Sequence, residues 1–139
     1  MRRLLALTVG LCLALTIVMP AVAAPTSPFT GTWISHDPAP PTSDGSTLHL
    51  DIQGGMQARI NFIDEYASVC FRAGLPTYYT ARGKGTVSGD TLNATWQWAK
   101  CGNKKFTATP AVTYVYDDLE TANPADDTLW DGWVVWTRD

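Results

Sequence analysis

Thr47-Leu48-His49-Leu50-Asp51-Ile52-Gln53-Gly54-Gly55-Met56-Gln57-Ala58-Arg59-Ile60-Asn61-Phe62-Ile63 is the stretch whose reading decides the fold. Leu48, Leu50 and Ile52 alternate with Thr47, His49 and Asp51. A period of two places successive side chains on opposite faces of a β-strand. Gly54-Gly55 reads as a hairpin turn, and on the returning strand, residues 57–63, Ile60 and Phe62 face inward.

The same grammar extends in both directions. Upstream, a strand over residues 30–35 leads into a loop at 36–46, where Pro38, Pro40 and Pro41 forbid ladder and helix alike. Downstream, residues 64–74 are irregular, with a short strand at 67–71 carrying Cys70. Residues 78–87 form a long strand in which Gly83 and Gly85 suggest a bend or bulge. Ser88-Gly89-Asp90 turns it into 91–100, where Leu92, Ala94, Trp96 and Trp98 share a face, and Cys101-Gly102-Asn103 closes that hairpin. A strand over 106–116, an acidic loop at 117–127, a strand at 128–130, the turn Asp131-Gly132 and a last strand at 133–138 complete the chain. No segment of helical length carries the 3.6 period. The expected fold is all-β, an antiparallel up-and-down meander of about seven to eight strands closing into a small barrel.

The first residues have a different logic. Arg2 and Arg3 precede an apolar run over 4–18, then Met19-Pro20 and Ala21-Val22-Ala23. That order is a secretory signal over residues 1–23, cleaved after Ala23. At about 15 residues the run falls short of the ~20 that span a bilayer, so no stable membrane insertion is expected after cleavage. Cys12, preceded by Leu11, does not fit a lipid-attachment site. Residues 24–28 read as a flexible segment and 29–139 as one domain. The expected location is secreted, extracellular or periplasmic. Cys70 and Cys101 then remain as an even pair in an oxidising compartment and are expected to be bonded. The net charge of -3 becomes more negative when Arg2 and Arg3 are lost, so no basic patch and no nucleic-acid partner is expected.

Gly31-Thr32-Trp33 at the entry to the first strand, with Arg138 near the end of the last, resembles the calycins, the lipocalin, avidin and fatty-acid-binding group. The resemblance implies that Trp33 packs across the closed end of an up-and-down barrel with Arg138 over its ring, a structural role for Gly31, Trp33 and Arg138. The chain is shorter than a lipocalin and has no C-terminal helix pattern. The stretches around Cys70, around residues 86–92 and around 127–129 also look like uncharacterised bacterial secreted domains of similar length.

Trp33, Trp96 and Trp98 are expected to fill the core. Trp133 and Trp136 are three apart, so they point to opposite faces. Exposed aromatic rings grip sugars and flat apolar faces, which makes Tyr78, Tyr79, Trp130 and Trp133 the ligand-binding candidates. Asp117, Asp118, Glu120, Asp126 and Asp127 crowd one loop but match no calcium-binding spacing. His36, between Ser35 and Asp37, cannot form a relay with its immediate neighbours, and His49 can pair with Asp51. No catalytic residue, metal or cofactor is implied. The expected function is a binding module for a small apolar ligand or a carbohydrate. The alternative is an interaction or protease-inhibitor-like domain acting through its rim loops, and an enzyme is the least supported class. The expected partner is a small molecule, a glycan or a protein.

Overall fold

A computed structural model describes residues 26–38, 45–107 and 111–139. The expected secretory leader, Pro40 and Pro41 of the first loop, and Pro110 lie outside the described residues. Among the described residues nine strands follow one another: β1 (Gly31–His36), β2 (Thr47–Gly54), β3 (Gln57–Asp64), β4 (Tyr79–Ser88), β5 (Thr91–Cys101), β6 (Lys104–Thr107), β7 (Val112–Asp117), β8 (Thr128–Trp130) and β9 (Val135–Arg138). A short helix, α1 (Ser68–Arg72), lies between β3 and β4, and a 3-10 turn (Pro124–Asp126) precedes β8.

All pairings are antiparallel, and β4 pairs with β5 while β9 returns to β1. Eight strands, β1 to β5 and β7 to β9, therefore close a barrel. Closure removes the exposed edges that an open meander would leave. β6 extends the far half of β5, and β7 pairs with its near half. The expected single strand over 106–116 is thus two strands with registers offset by one residue, which is a correction. The closed meander itself is as the alternation implied.

The strands carry apolar residues inward and polar residues outward, as β2 does with Leu48, Leu50 and Ile52. Trp33, Leu50, Ile52, Ile60, Leu92, Tyr114, Leu129 and Trp136 are buried in one core. Two glycines of β4 make that core possible. A Cβ on Gly83 would lie 2.7 Å from the Thr95 carbonyl oxygen and 3.0 Å from the Trp96 ring, and one on Gly85 would meet the Leu92 and Ile60 side chains. The missing side chains are where neighbouring strands place their bulk.

The bulge lies opposite Gly83. Arg82 pairs with Trp98 and Gly83 with Trp96, so Gln97 of β5 has no counterpart. An extra residue reverses the faces beyond it. Trp96 keeps the inward face of Leu92 and Ala94, and beyond the bulge Ala99 and Cys101 point inward while Trp98 is half-buried on the outer surface. This corrects the expectation that Trp98 shares the face of Trp96 and fills the core.

Residues 67–71 form no strand. Both long edges of β3 and β4 are already occupied in the closed barrel, so a further strand there would find no ladder partner. The segment instead turns once as α1, with the Cys70 and Phe71 amides donating to the Ala67 carbonyl. It buries Cys70 against Cys101 and leaves Val69 and Phe71 outside. The two cysteines are disulfide-bonded, with Cα atoms 5.6 Å apart.

The β8 to β9 link has four residues rather than two, because Trp130 pairs with Val135. Asp131 organises it. One carboxylate oxygen accepts the Trp133 and Val134 amides and the other accepts Trp136 Nε1 at 3.0 Å. The last strand accordingly starts at Val135 and not at Trp133.

Candidate functional site

The register gives the barrel two unlike ends. At one, Gly31, Gly54, Ser88 and Arg138 gather; at the other, His36, Thr47, Asp64, Tyr79 and Val112 do.

The first end is sealed. Phe29 is fully buried and its carbonyl accepts Trp33 Nε1 at 2.9 Å. The Arg138 guanidinium lies 4.1 Å over the Trp33 ring centre and donates to the Thr30 and Pro28 carbonyls, each at 2.7 Å. It also pairs with the buried Asp127 carboxylate at 3.2 Å. Gly31, at φ +139°, is needed there, since its Cβ would sit 2.7 Å from an Arg138 nitrogen. Burial, a hydrogen bond to Asp127 and the charge of Asp127 together push the Tyr116 phenol up to about 12. The neighbouring loop is tied to itself: Asp117 accepts the Leu119 amide and Asp118 the Glu120 amide. Among the described residues no group of three or more His, Cys, Asp or Glu is placed to hold a metal ion.

Among the described residues the second end is open and apolar. Phe62 of β3 is its hub, with ring centres of Tyr79, Trp96 and Trp136 at 5.9, 6.0 and 6.1 Å in edge-to-face arrangements. Such pairs hold rings in fixed relative orientation. On one side of Phe62 and Tyr79 lies a cleft of about 300 Å³, walled by Ala67, Val69, Ala99 and Phe106. On the other lies a smaller one of about 200 Å³, walled by Ala81, Trp96, Val112 and Tyr114. Polar groups at this end are spent locally. Asp64 accepts the Ser46 hydroxyl at 2.7 Å and the Tyr66 amide at 2.9 Å. Burial, and then the Asp64 charge, raise the Tyr79 phenol above its ordinary value, so it remains a proton donor at the mouth at neutral pH.

The four ligand candidates are not brought together. Tyr79 turns into the mouth; Tyr78 faces outward beside His49, Ile63 and Glu65. Trp130 is on the outer surface in a row with Val115 and Val135, and Trp133 is exposed in the four-residue link. His49 pairs with Glu65 at 2.9 Å and not with Asp51, because register sets Asp51 opposite Asn61, whose amide it accepts. The ends of the 36–46 and 117–127 loops leave the barrel at opposite ends, so the two do not form one rim.

Missing from the sequence reading were Ala67, Val69 and Phe106 as walls of the mouth. They come from α1, the residue that precedes it, and β6, elements without a periodic signal. Missing too was a basic surface. Arg59, Arg82, Lys84, Lys100 and Lys105 lie on the outer face of β3 to β6, correcting the expectation that no basic patch exists. Net charge is a sum over the chain, whereas a patch is made by strand register.

The small closed antiparallel barrel fits the calycin kind of architecture in general. No protein-family model, curated protein or solved structure matches the chain. Among the described residues no helix is long and apolar enough to cross a membrane.

Proposed function

We propose that the protein is a secreted binding module of calycin type that takes a small apolar ligand at the open end of its barrel. The observation that carries this reading is the cleft of about 300 Å³ beside Phe62 and Tyr79, whose walls are apolar except for Asp64 and the Tyr79 hydroxyl. Its volume is at the small end of the usual range for ligand sites, ~300 to 1,000 Å³. A bicyclic ring or a short acyl chain suits it better than a long lipid. One end sealed by Trp33 and Arg138 and the other left open by the described residues make a cup, and the disulfide ties α1, one wall of that cup, to β5. The Tyr79 hydroxyl offers a donor for a ligand carrying one polar atom. The leader at 1–23 and the disulfide support secretion.

The test is titration of the mature protein with N-phenyl-1-naphthylamine, read by the probe's own fluorescence. A dissociation constant on the order of 10–100 μM is expected for a ligand of this size. Val69 is 58% exposed at the rim, so Val69→Asp leaves the core intact. It should weaken the probe at least about tenfold by putting a charge against an apolar face. An unchanged affinity in that variant, or no binding by the wild type, would remove the mouth as the site.

A further inference from the structure

We propose that the outer face of β3 to β6 is a second binding surface, for an acidic polysaccharide, whose centre is Trp98. Removal of Arg2 and Arg3 from the ten Lys and Arg leaves eight. Five of those eight, Arg59, Arg82, Lys84, Lys100 and Lys105, stand on this one face of an otherwise acidic protein.

The register makes the crowding specific. Arg59 is directly opposite Lys84, and Lys100 is directly opposite Lys105. Like charges so placed lower stability unless an anion lies between them. Among the described residues no carboxylate is seen in an ion pair with any of these five cations; the salt bridges seen there join His49 to Glu65 and Arg138 to Asp127. Asp51, the acid on the adjoining strand, is engaged by the Gln53 and Asn61 amides at 2.8 and 3.1 Å.

Trp98 organises the cations. Lys100 Nζ lies 4.8 Å from its ring centre, and Arg82 Cζ and Lys105 Nζ each lie 5.6 Å away. Attraction to the indole face holds three positive groups together against their mutual repulsion. Beside them a groove of about 440 Å³ runs between Arg59, Arg82 and Lys84, lined also by the carboxamides of Gln53, Asn61 and Gln97. Cations read carboxylate or sulfate groups, and carboxamides offer both donor and acceptor to sugar hydroxyls.

The surroundings select this occupant over other polyanions. Most outer positions near the patch are polar, Thr80, Thr86, Asn93 and Thr95 among them, so the face offers little apolar surface to insert into a bilayer. Single-stranded nucleic acid is gripped by successive aromatic platforms, whereas this face has one indole, already covered by cations. This surface is separate from the mouth, since Arg82 and Lys84 point away from the barrel interior into which Tyr79 and Ala81 turn.

The experiment is affinity electrophoresis and calorimetry of the mature protein with polygalacturonate, heparin, neutral dextran, oligo-dT and anionic phospholipid vesicles. Binding is expected to polygalacturonate or heparin and not to dextran, and the stronger of the two identifies carboxylate or sulfate as the recognised group. Raising salt from about 0.1 M to about 1 M shortens the screening length from about 10 Å to about 3 Å and should abolish binding. The triple variant Arg82→Ala, Lys84→Ala and Lys105→Ala should lose about 100-fold, and Trp98→Leu about tenfold with Trp98→Phe retaining most of the affinity. Arg72→Ala, on α1, removes one charge elsewhere and should change nothing. No binding to either acidic polymer, an equal loss in Arg72→Ala, or tighter binding to oligo-dT or vesicles would overturn the proposal.

Discussion

Replacing Arg138 with Met should be among the most damaging single changes on the protein's surface. The Met side chain keeps apolar atoms over Trp33 but removes the guanidinium, and with it the donors to Thr30, Pro28 and Asp127. The Asp127 side chain is only 5% exposed, against 21% for Arg138, so its charge would be left largely buried and unpaired. Breaking a buried pair from one side costs about 3–5 kcal/mol. The partial exposure of Arg138 and the Tyr116 hydroxyl beside Asp127 favour the lower figure. Loss of the cation from the indole face adds about 1 kcal/mol. A total near 4 kcal/mol is a large fraction of the stability of a domain this size, and corresponds to a fall in Tm of about 15 °C. Urea unfolding followed by tryptophan fluorescence measures it. The double variant Arg138→Met with Asp127→Asn should recover about 1–2 kcal/mol, because the orphaned charge is removed as well. A single-variant loss below about 1 kcal/mol, or strict additivity in the double, would show that the seal at this end does not depend on the ion pair.

Reducing the disulfide, or replacing both Cys70 and Cys101 with Ala, should cost about 3–4 kcal/mol for a closed loop of 31 residues, and should weaken N-phenyl-1-naphthylamine because Ala67 and Cys101 wall the cleft; unchanged urea midpoint and probe affinity would contradict both. Alkaline pH should destabilise the fold. Tyr116 is pushed up to about 12, and Tyr114 is raised by burial and then by Asp131, against an ordinary value of 10.0. Unfolding therefore releases protons above pH 10.0, so stability holds below that pH and declines as the pH rises toward about 12. A urea midpoint constant from pH 8 to about 12 would contradict it.

The parts of the fold legible in the sequence are those where local pattern and final register agree. Thr47–Gly54 and Gln57–Asp64 read correctly because alternation and the Gly54-Gly55 turn both point to a hairpin, and barrel closure only adds neighbours. Gly89-Asp90 and Gly102-Asn103 likewise connect paired strands as expected, with Gly89 and Gly102 at positive φ. Residues 67–71 misread because their apolar content looks like a strand, while the decisive fact is that β3 and β4 are already paired to each other. Asp131-Gly132 misread because the Asp131 side chain, not the turn dipeptide, sets the length of the link. The mouth was only half visible: Phe62 and Tyr79 lie on strands with a clear period, but Val69 and Phe106 lie on elements with none.

The largest gap has one source, the unpaired Gln97. Glycines at 83 and 85 signal that β4 is irregular, but they do not say on which strand the extra residue falls. Placing it on β5 has two consequences at once. It leaves Trp96 inward with Leu92 and Ala94, against Phe62, where it walls the smaller mouth cleft. It also turns Trp98 and Lys100 outward, beside Arg82 and Lys105. In an uninterrupted strand Trp98 and Lys100 would follow Trp96 inward, and Cys101 would lie on the wrong face to meet Cys70. The disulfide thus requires the bulge, since Leu92, Ala94 and Trp96 share a parity that Cys101 does not. Cysteine at an odd position after a run of inward even positions is a signal present in the sequence, and it implies the outward turn of Trp98 on which the basic surface is built.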